Sequence, residues 1–520
     1  MSAVLDVSAA VDVSAAVHVS DENGMLRPHA VVIGSGFGGL AAAIRLGARG
    51  YRVTVLERLE GPGGRAGVFR QDGFTFDAGP TIITAPFLFE ELWRLCNRNL
   101  ADDVELRSMH PFYRIQFDDG SILDCSADDA SMAEQINRFA PADLDGYRRF
   151  LQASEAIYKV AFERLGAVPF DSIMDMVRLA PELLRLRSYL TIHGLAASYV
   201  KDPRLRFALS FHPLFVGGNP FTTTSIYGLI AFLERKWGVH FAMGGTGSIV
   251  KGLVRLIEGQ GGRLRYRADV AQIMLVGRRA AGVRLSSGEQ IAADIVVSDA
   301  DSAATYAQLL PESARRRWTD RKLRRARYSM SLFIWYFGTR CKYEDVPHHT
   351  ILVGPRYREL LRDIFDRKVL AEDFSLYLHR PTATDTSLAP PGCDAFYVLS
   401  PVPHLGADVD WRARAEGYRQ AIEQHLGATL LPGLKHNVIS SRIMTPLDFR
   451  DRLSSVNGAA FGLEPILSQS AWFRPHNRSE DVEGLFLVGA GTHPGAGLPG
   501  VISSARVLDT VVPHADAFKR

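Results

Sequence analysis

Three glycines open the part of the sequence best suited to chemistry. They form Gly34-x-Gly36-x-x-Gly39, directly after the apolar run His29–Ile33. In such a turn the first glycine permits a tight bend, the second lets the backbone approach a pyrophosphate, and the third lets helix and strand pack closely. The helix that follows directs free N–H groups and its positive dipole end at the phosphates. The predicted dinucleotide contacts are Gly34, Ser35, Gly36, Phe37, Gly38 and Gly39.

An acidic residue and a second glycine turn follow. Glu57 stands after the apolar run 51–56, where a carboxylate can accept a hydrogen bond from a ribose hydroxyl and would repel the 2′-phosphate of NADP. The turn 61–65 could hold the diphosphate and ribityl regions of a flavin. A plain dehydrogenase would continue into further βα units here, so the pattern favours FAD. The predicted contacts are Glu57, Arg58, Gly63, Gly64 and Arg65.

A third glycine-rich loop lies near the carboxyl end. Residues 490–491 and 495–500 lack bulk, so their backbone could lie against a flavin ring. A helix predicted from Val501 would direct its N-terminus at the pyrimidine side of that ring and favour its reduced anion. The predicted contacts are Gly489, Ala490, Gly491, Leu498, Pro499, Gly500 and Val501.

The hydrophobic pattern indicates the elements that position these loops. Residues 29–56 read as one βαβ half of a doubly wound sheet, and Asp72-Gly73 and Asp119-Gly120 read as hairpin turns. Residues 141–237 are mostly helical in pattern, and 485–489 form a last buried strand. We predict an α/β fold: an FAD-binding, doubly wound, glutathione-reductase-like domain built from discontinuous segments, plus a substrate-binding and membrane-associating α+β domain.

The predicted boundaries follow from this pattern. A near-repeat at 6–11 and 12–17 suggests a flexible tail rather than a leader peptide. We predict a tail at 1–27, an FAD-binding domain at 28–110, 240–305 and 470–520, and a substrate domain at 111–239 and 306–469.

Composition excludes several classes of protein. The 520 residues are 47% hydrophobic and 22% charged, as in a folded chain of more than one domain. A net charge of +3 does not suggest a nucleic-acid partner. The four cysteines form no C-x-x-C pair, so we predict no disulfide framework, no metal site and a reducing, cytoplasmic location. No apolar run is long enough to span a membrane.

From about residue 30 to 508 the sequence resembles the bacterial phytoene desaturases, a carotenoid-oxidoreductase branch of the flavin amine-oxidase-like proteins. The motifs that carry the resemblance include Gly34-Ser-Gly-Phe-Gly-Gly39, Gly63-Gly-Arg-Ala66, Gly73-Phe-Thr-Phe-Asp-Ala-Gly-Pro80, Ser470-Ala-Trp-Phe-Arg-Pro-His-Asn477 and Gly489-Ala-Gly-Thr-His-Pro-Gly-Ala-Gly-Leu-Pro-Gly500. The resemblance implies stepwise desaturation of phytoene toward neurosporene or lycopene, with FAD taking the hydrogens. It also places Val270 against the adenine.

The resemblance suggests one catalytic pair. Asp175 and Arg178 match a family segment suspected of lying near the flavin, where a buried carboxylate beside an arginine could relay a proton. The alternative is a structural salt bridge on a helix.

The implied substrate suggests the remaining partners. A carotene is insoluble in water and must be drawn from lipid, so we predict peripheral attachment to a membrane surface. The basic stretch 315–327 could bind anionic lipid or be a solvated helix face. The apolar stretch 207–232 could line a substrate tunnel, dip into the bilayer or be core. No second nucleotide motif appears, so oxygen or a quinone is the expected electron acceptor.

Other functions remain open at this point. A related carotenoid desaturase or isomerase, such as a hydroxycarotenoid desaturase, would share the cofactor motifs. A flavin amine oxidase would share the fold. A prenyl-binding escort protein would keep the fold without the flavin.

Overall fold

A computed structural model describes residues 27–518, and the near-repeat at 6–17 lies outside this range. The strands are β1 (His29–Ile33), β2 (Arg52–Leu56), β3 (Val68–Gln71), β4 (Phe74–Asp77), β5 (Leu106–Ser108), β6 (Tyr113–Gln116), β7 (Ile122–Cys125), β8 (His240–Ala242), β9 (Arg263–Arg265), β10 (Val270–Val276), β11 (Arg279–Leu285), β12 (Gln290–Ala292), β13 (Ile295–Ser298), β14 (Ser331–Thr339), β15 (His349–Leu352), β16 (Leu376–His379), β17 (Asp394–Val402), β18 (Val438–Met444) and β19 (Leu485–Leu487).

The helices alternate with these strands. They are α1 (Phe37–Ala48), α2 (Phe87–Arg94), α3 (Asp129–Phe139), α4 (Leu144–Tyr158), α5 (Ile173–Arg185), α6 (Ile192–Ala197), α7 (Pro203–Ser210), α8 (Leu229–Trp237), α9 (Thr246–Gly259), α10 (Ser302–Leu309), α11 (Asp320–Arg325), α12 (Tyr357–Arg362), α13 (Trp411–Thr429), α14 (Leu434–Asn437), α15 (Pro446–Asp451) and α16 (Leu498–Val511). Within residues 27–518, none of these helices has the length and apolar character needed to cross a membrane.

A five-stranded parallel sheet, ordered β19-β13-β1-β2-β9, collects strands from distant parts of the chain. Residues of α1, α9 and α16 share a hydrophobic cluster with alternate residues of β1, and the other residues of β1 pack with the antiparallel sheet β10-β11-β12. Covering both faces explains why β1 and β13 are buried along their whole length. The predicted βαβ start of the fold is confirmed.

A seven-stranded mixed sheet forms the other half of the molecule, in the order β18-β14-β17-β16-β15-β6-β7. One face packs against α13 through an aromatic cluster that includes Phe333 and Trp411. Residues of the opposite face, including Ile334 and Tyr397, line the internal cavity described below. All strands of the five-stranded sheet come from the segments predicted to form the FAD-binding domain, and all strands of the seven-stranded sheet come from those predicted to form the substrate domain. The exact domain boundaries stay a prediction.

Local details both confirm and correct the expected elements. The hairpin turn at Asp72-Gly73 is confirmed, because both residues have positive φ and β3 pairs with β4. The last helix begins at Leu498 rather than at Val501. Its proline lies in the first turn, where no intrahelical hydrogen bond is lost, so Pro499 starts the helix instead of delaying it.

Candidate functional site

A cavity of about 1460 Å³ is lined by both large sheets and by the helical segment between them. Its polar part contains the three glycine-rich loops with Glu57 and Asp299, and its apolar part contains aromatic side chains such as Phe207 and Phe211. The predicted site residues that line it are Gly34, Ser35, Gly36, Phe37, Glu57, Arg58, Gly63, Gly64, Arg65, Val270, Ala490, Leu498, Pro499, Gly500 and Val501. One cavity therefore joins a polar cradle to an apolar channel.

The first glycine loop has no room for side chains. A Cβ on Gly36 would lie 2.5 Å from Asp299 Oδ2, one on Gly38 would lie 2.8 Å from the backbone nitrogen of Gly489, and one on Gly39 would lie 2.2 Å from the Gly34 carbonyl oxygen. Gly34 also has a φ of +91°, which favours glycine. Gly38, Gly39 and Gly489 are thus packing residues behind the cavity wall.

Glu57 fixes this loop from the side. Its Oε2 accepts hydrogen bonds from Ser35 N at 2.9 Å and Ser35 Oγ at 2.6 Å, and its Oε1 accepts one from Leu59 N at 2.9 Å. The carboxylate is buried at the end of β2 and still lines the cavity. Glu57 therefore orients the glycine loop.

The second glycine turn lies directly against the first. Gly63 N donates to the Ser35 carbonyl at 2.9 Å, which brings the two loops together. Arg65 donates to the Ala460 carbonyl and to Ser455 Oγ, each at 2.8 Å, and burial lowers its pKa. Arg58 lies nearer the surface, with its Nε 3.6 Å from a carboxylate oxygen of Asp269.

The carboxyl-terminal loop completes the wall. Ala490 and the first turn of α16 line the cavity, whereas Gly491 packs behind it, where a Cβ would lie 2.5 Å from Ser302 Oγ. The N-cap residues of α16 and α1 are glycines and supply no side-chain cap, although the Asp299 carboxyl group accepts backbone hydrogen bonds at the start of α1. The N-terminus of α16, and the part of the α1 N-terminus that Asp299 leaves free, offer backbone donors at the polar part of the cavity.

Two aspartates in this region were missed by sequence reasoning. Asp299 follows β13, accepts hydrogen bonds from the backbone of Gly36 and Gly39, and has its pKa raised to about 7 by burial. Asp301 caps α10 by accepting from Ala303 N at 2.9 Å, and burial raises its pKa as well. The sequence shows only that both follow the apolar run 295–298, whereas the structure shows that the carboxyl end of this strand meets that of β1.

Arg474, which lies in the motif 470–477, is buried beside the carboxyl-terminal loop, and the sequence did not predict a role for it. Arg474 donates to the Ala490 carbonyl at 2.8 Å and to the Leu463 carbonyl at 3.2 Å. Burial lowers its pKa, and the neighbouring Tyr227 opposes this shift. Arg474 thus holds a positive charge behind the loop that forms the cavity wall.

His493 lies in the same loop and lines the cavity. Its Nε2 lies 3.1 Å from the Leu165 carbonyl, which can only accept, so Nε2 carries the proton and Nδ1 is the basic nitrogen. Burial lowers the pKa of His493 to about 4, which keeps the imidazole neutral near pH 7.

The expectation that Asp175 is a buried carboxylate is wrong. The side chains of Asp175 and Arg178 are 35% and 76% exposed, their charged groups lie 3.8 Å apart, and neither lines the cavity. Asp175 forms a capping box with Ser172 at the start of α5. The alternative interpretation, a salt bridge on a helix, describes this pair. The side of α5 that faces the cavity carries Met176, Leu179 and Leu183 instead.

Of the two stretches considered for membrane contact, the apolar stretch 207–232 lines the cavity and the basic stretch 315–327 lies partly paired and partly exposed at the surface. Many residues of 207–232 line the cavity, so this stretch forms channel wall. Much of the basic stretch is neutralised: Arg315 is buried against Asp320, and Arg327 Nε lies 2.7 Å from Glu464 Oε2. Arg316, Arg321, Arg324 and Arg325 remain exposed.

Comparisons with known proteins agree with this geometry. Residues 37–507 match the family model described as flavin containing amine oxidoreductase. The chain is 49% identical to a neurosporene-forming phytoene desaturase of Rhodobacter capsulatus, over 94% of each chain. It is 48% identical to a lycopene-forming phytoene desaturase of Pantoea ananas, over 91% of this chain and 97% of that protein.

Solved structures show the same fold at low sequence identity. An oxidoreductase from Methanosarcina mazei aligns with a TM-score of 0.60 and 19% identity, over 93% of this chain and all of that chain. Putrescine oxidase bound to putrescine aligns with a TM-score of 0.63 and 12% identity, over 94% of this chain and all of that chain.

Proposed function

Because this chain belongs to the flavin-containing amine oxidoreductase family and, within it, to the phytoene desaturases, we propose that it dehydrogenates phytoene stepwise toward neurosporene or lycopene, using FAD. The observation that carries this proposal is the continuity of the cavity, in which a glycine-lined polar part adjoins an aromatic and aliphatic part. A hydrocarbon needs apolar walls beside the redox group, and this cavity supplies them.

The polar part fits FAD. Gly36 leaves backbone rather than a side chain on the wall, and the N-terminus of α16, with the donors of α1 that Asp299 leaves free, would supply donors for a diphosphate. Glu57 would accept a hydrogen bond from a ribose hydroxyl and would disfavour a 2′-phosphate. The proposed contacts are the fifteen residues that line the cavity and were predicted from the sequence, together with Asp299.

When bound, FAD supplies the two-electron sink that removal of hydrogen from a saturated carbon chain requires. The chain itself holds the polyene in place and excludes water through residues such as Phe211 and Leu376. Arg474 places a buried positive charge behind Ala490, where it would stabilise negative charge on a group bound against this loop. Loss of a proton from an allylic carbon next to a cation needs only a weak base, and we assign this role to His493 Nδ1.

The division into domains follows as a proposal. Strands of 28–110, 240–305 and 470–520 would form the FAD-binding domain, and 111–239 with 306–469 would form the substrate domain. Oxygen or a quinone is the proposed electron acceptor, and the enzyme would work at the cytoplasmic surface of a membrane.

Product analysis tests the proposed reaction. The purified full chain, supplied with FAD, should convert phytoene in liposomes to products with longer conjugated chromophores, separated and identified by chromatography and absorption spectrum. Putrescine is the matched alternative substrate, because the fold alone also fits an amine oxidase. Hydrogen peroxide formed from putrescine, with phytoene left unchanged, would contradict the proposal.

Helix α5 is the proposed contact with lipid. Its Met176, Leu179 and Leu183 line the cavity, while its Val177 and Leu184 are 58% and 62% exposed on the outside. The same helix thus borders the channel and presents apolar side chains to solvent, as an interfacial helix does. Phytoene could pass from the bilayer to the cavity beside it.

We expect the double variant Val177→Glu/Leu184→Glu to bind liposomes more than tenfold more weakly. Each apolar side chain buried in lipid contributes about 1.5–3 kcal/mol to the free energy of membrane binding. The double variant loses both contributions and adds two carboxylates that resist burial. Sedimentation with phytoene-loaded liposomes measures the effect.

Val276→Glu is the matched control, because Val276 is 51% exposed on β10, away from α5. Equal binding by the double variant and the wild type would assign the lipid contact to another surface. Sedimentation repeated at high salt measures how much the exposed arginines of 315–327 contribute to liposome binding. Salt screens charge pairing and leaves the apolar contact of α5 in place.

A further inference from the structure

Three buried histidines lie together at one end of the seven-stranded sheet. His349 begins β15 and His379 ends β16, and the two are directly opposed in the antiparallel register, so their side chains share one face. His348 precedes β15, and its Nε2 lies 3.0 Å from His379 Nε2. One ring nitrogen from each histidine lies within 4.8 Å of the others.

The remaining ring nitrogens of two histidines are held by hydroxyl groups. His348 Nδ1 lies 2.6 Å from Thr384 Oγ1, and His349 Nδ1 lies 2.7 Å from Tyr377 Oη. Metal-binding histidines typically use their second nitrogen in this way, which fixes the tautomer and the ring orientation. These contacts leave Nε2 of His349 without a partner and direct Nε2 of His348 at His379.

The cluster also leaves hydrogen-bonding capacity unused. Within residues 27–518, His349 Nε2 and His379 Nδ1 are buried without a hydrogen-bond partner. Leaving a buried polar group unpaired costs about 1–3 kcal/mol. The nearby cation Arg380 is itself paired with Asp394, Nε to Oδ2 at 2.9 Å.

We propose that His348, His349 and His379 bind a divalent transition-metal cation of the zinc type through their Nε2 atoms. Neutral imidazole is a preferred ligand for such ions. In a tetrahedral zinc site two nitrogens about 2.0–2.1 Å from the metal lie roughly 3.3–3.4 Å apart, so the two Nε2 atoms now 3.0 Å apart would separate by a few tenths of an ångström when the ion binds.

The ion would have a structural role beside the cavity. It would tie β15 to β16 and to the segment before β15, directly behind Tyr377, which lines the cavity. Tyr377 also lies 3.1 Å from Thr81 Oγ1 on the same wall. Metal binding would therefore fix the position of the aromatic wall.

Metal content tests the proposal directly. The flavin-loaded full chain, without a histidine tag, is freed of metal with a chelator and dialysed against Zn²⁺, and bound zinc is measured by mass spectrometry. We expect about one equivalent in the wild type and in the control His436→Gln, which changes an exposed histidine. His379→Gln should lose it.

A gentler variant keeps the test decisive if His379→Gln fails to fold. Thr384→Val removes a hydroxyl from a half-buried residue and preserves its shape, and loss of such an outer partner should weaken zinc binding about 10- to 100-fold. Absence of stoichiometric zinc in the wild type, or unchanged affinity in folded Thr384→Val, would overturn the proposal.

Discussion

Replacement of Gly36 by valine is expected to weaken FAD binding about 10- to 100-fold while the chain still folds. The first added carbon would lie 2.5 Å from Asp299 Oδ2, and the branched side chain would project at the cavity wall where a diphosphate is proposed. Overpacking costs about 1–3 kcal/mol, and each 1.4 kcal/mol changes a dissociation constant tenfold. Flavin fluorescence titration of the purified variant measures the change, and circular dichroism reports the fold.

Gly259→Ala is the matched control for this experiment. Gly259 ends α9 and does not line the cavity, and a Cβ there meets no atom of residues 27–518 within 4 Å outside its own neighbours in the chain. We expect it to bind FAD as the wild type does. A folded Gly36→Val chain with full affinity for FAD would show that the phosphate cradle lies elsewhere.

Phytoene in liposomes is expected to bleach the absorption of the oxidised, enzyme-bound flavin when oxygen is excluded. Each desaturation removes two hydrogens from the hydrocarbon, and their electrons need an acceptor within the cavity. Admission of oxygen or a quinone should restore the absorption and allow turnover to resume. Deuterium at the allylic position that loses hydrogen should slow the bleaching, measured by stopped-flow absorption.

The matched control replaces phytoene by a fully saturated hydrocarbon of similar length, which lacks allylic hydrogens and should leave the flavin absorption unchanged. An added nicotinamide should not be consumed, because Glu57 disfavours a 2′-phosphate and the sequence carries no second nucleotide motif. Desaturation with an unchanged flavin spectrum and consumption of nicotinamide would assign the electrons to a different acceptor.

Much of the cofactor region could be predicted because its determinants are local. The strand β1, the turn that follows and α1 are consecutive in the chain, and the glycines are required by backbone geometry within that unit. Asp299 escaped prediction because its role depends on β13 pairing with β1 across more than 250 residues. Asp175 was misplaced because the sequence does not show which side of α5 faces the cavity.

The sequence by itself determined the family, the α/β character of the fold and the positions of the glycine turns, since spacing in short motifs fixes tight turns and helix N-termini. Only the tertiary structure decided which residues meet across long separations. It joined the cradle to an apolar channel, turned Asp175 toward solvent, and brought His348 and His349 against His379. Such contacts depend on strand register and helix orientation, which are set by packing of the whole core rather than by neighbouring residues.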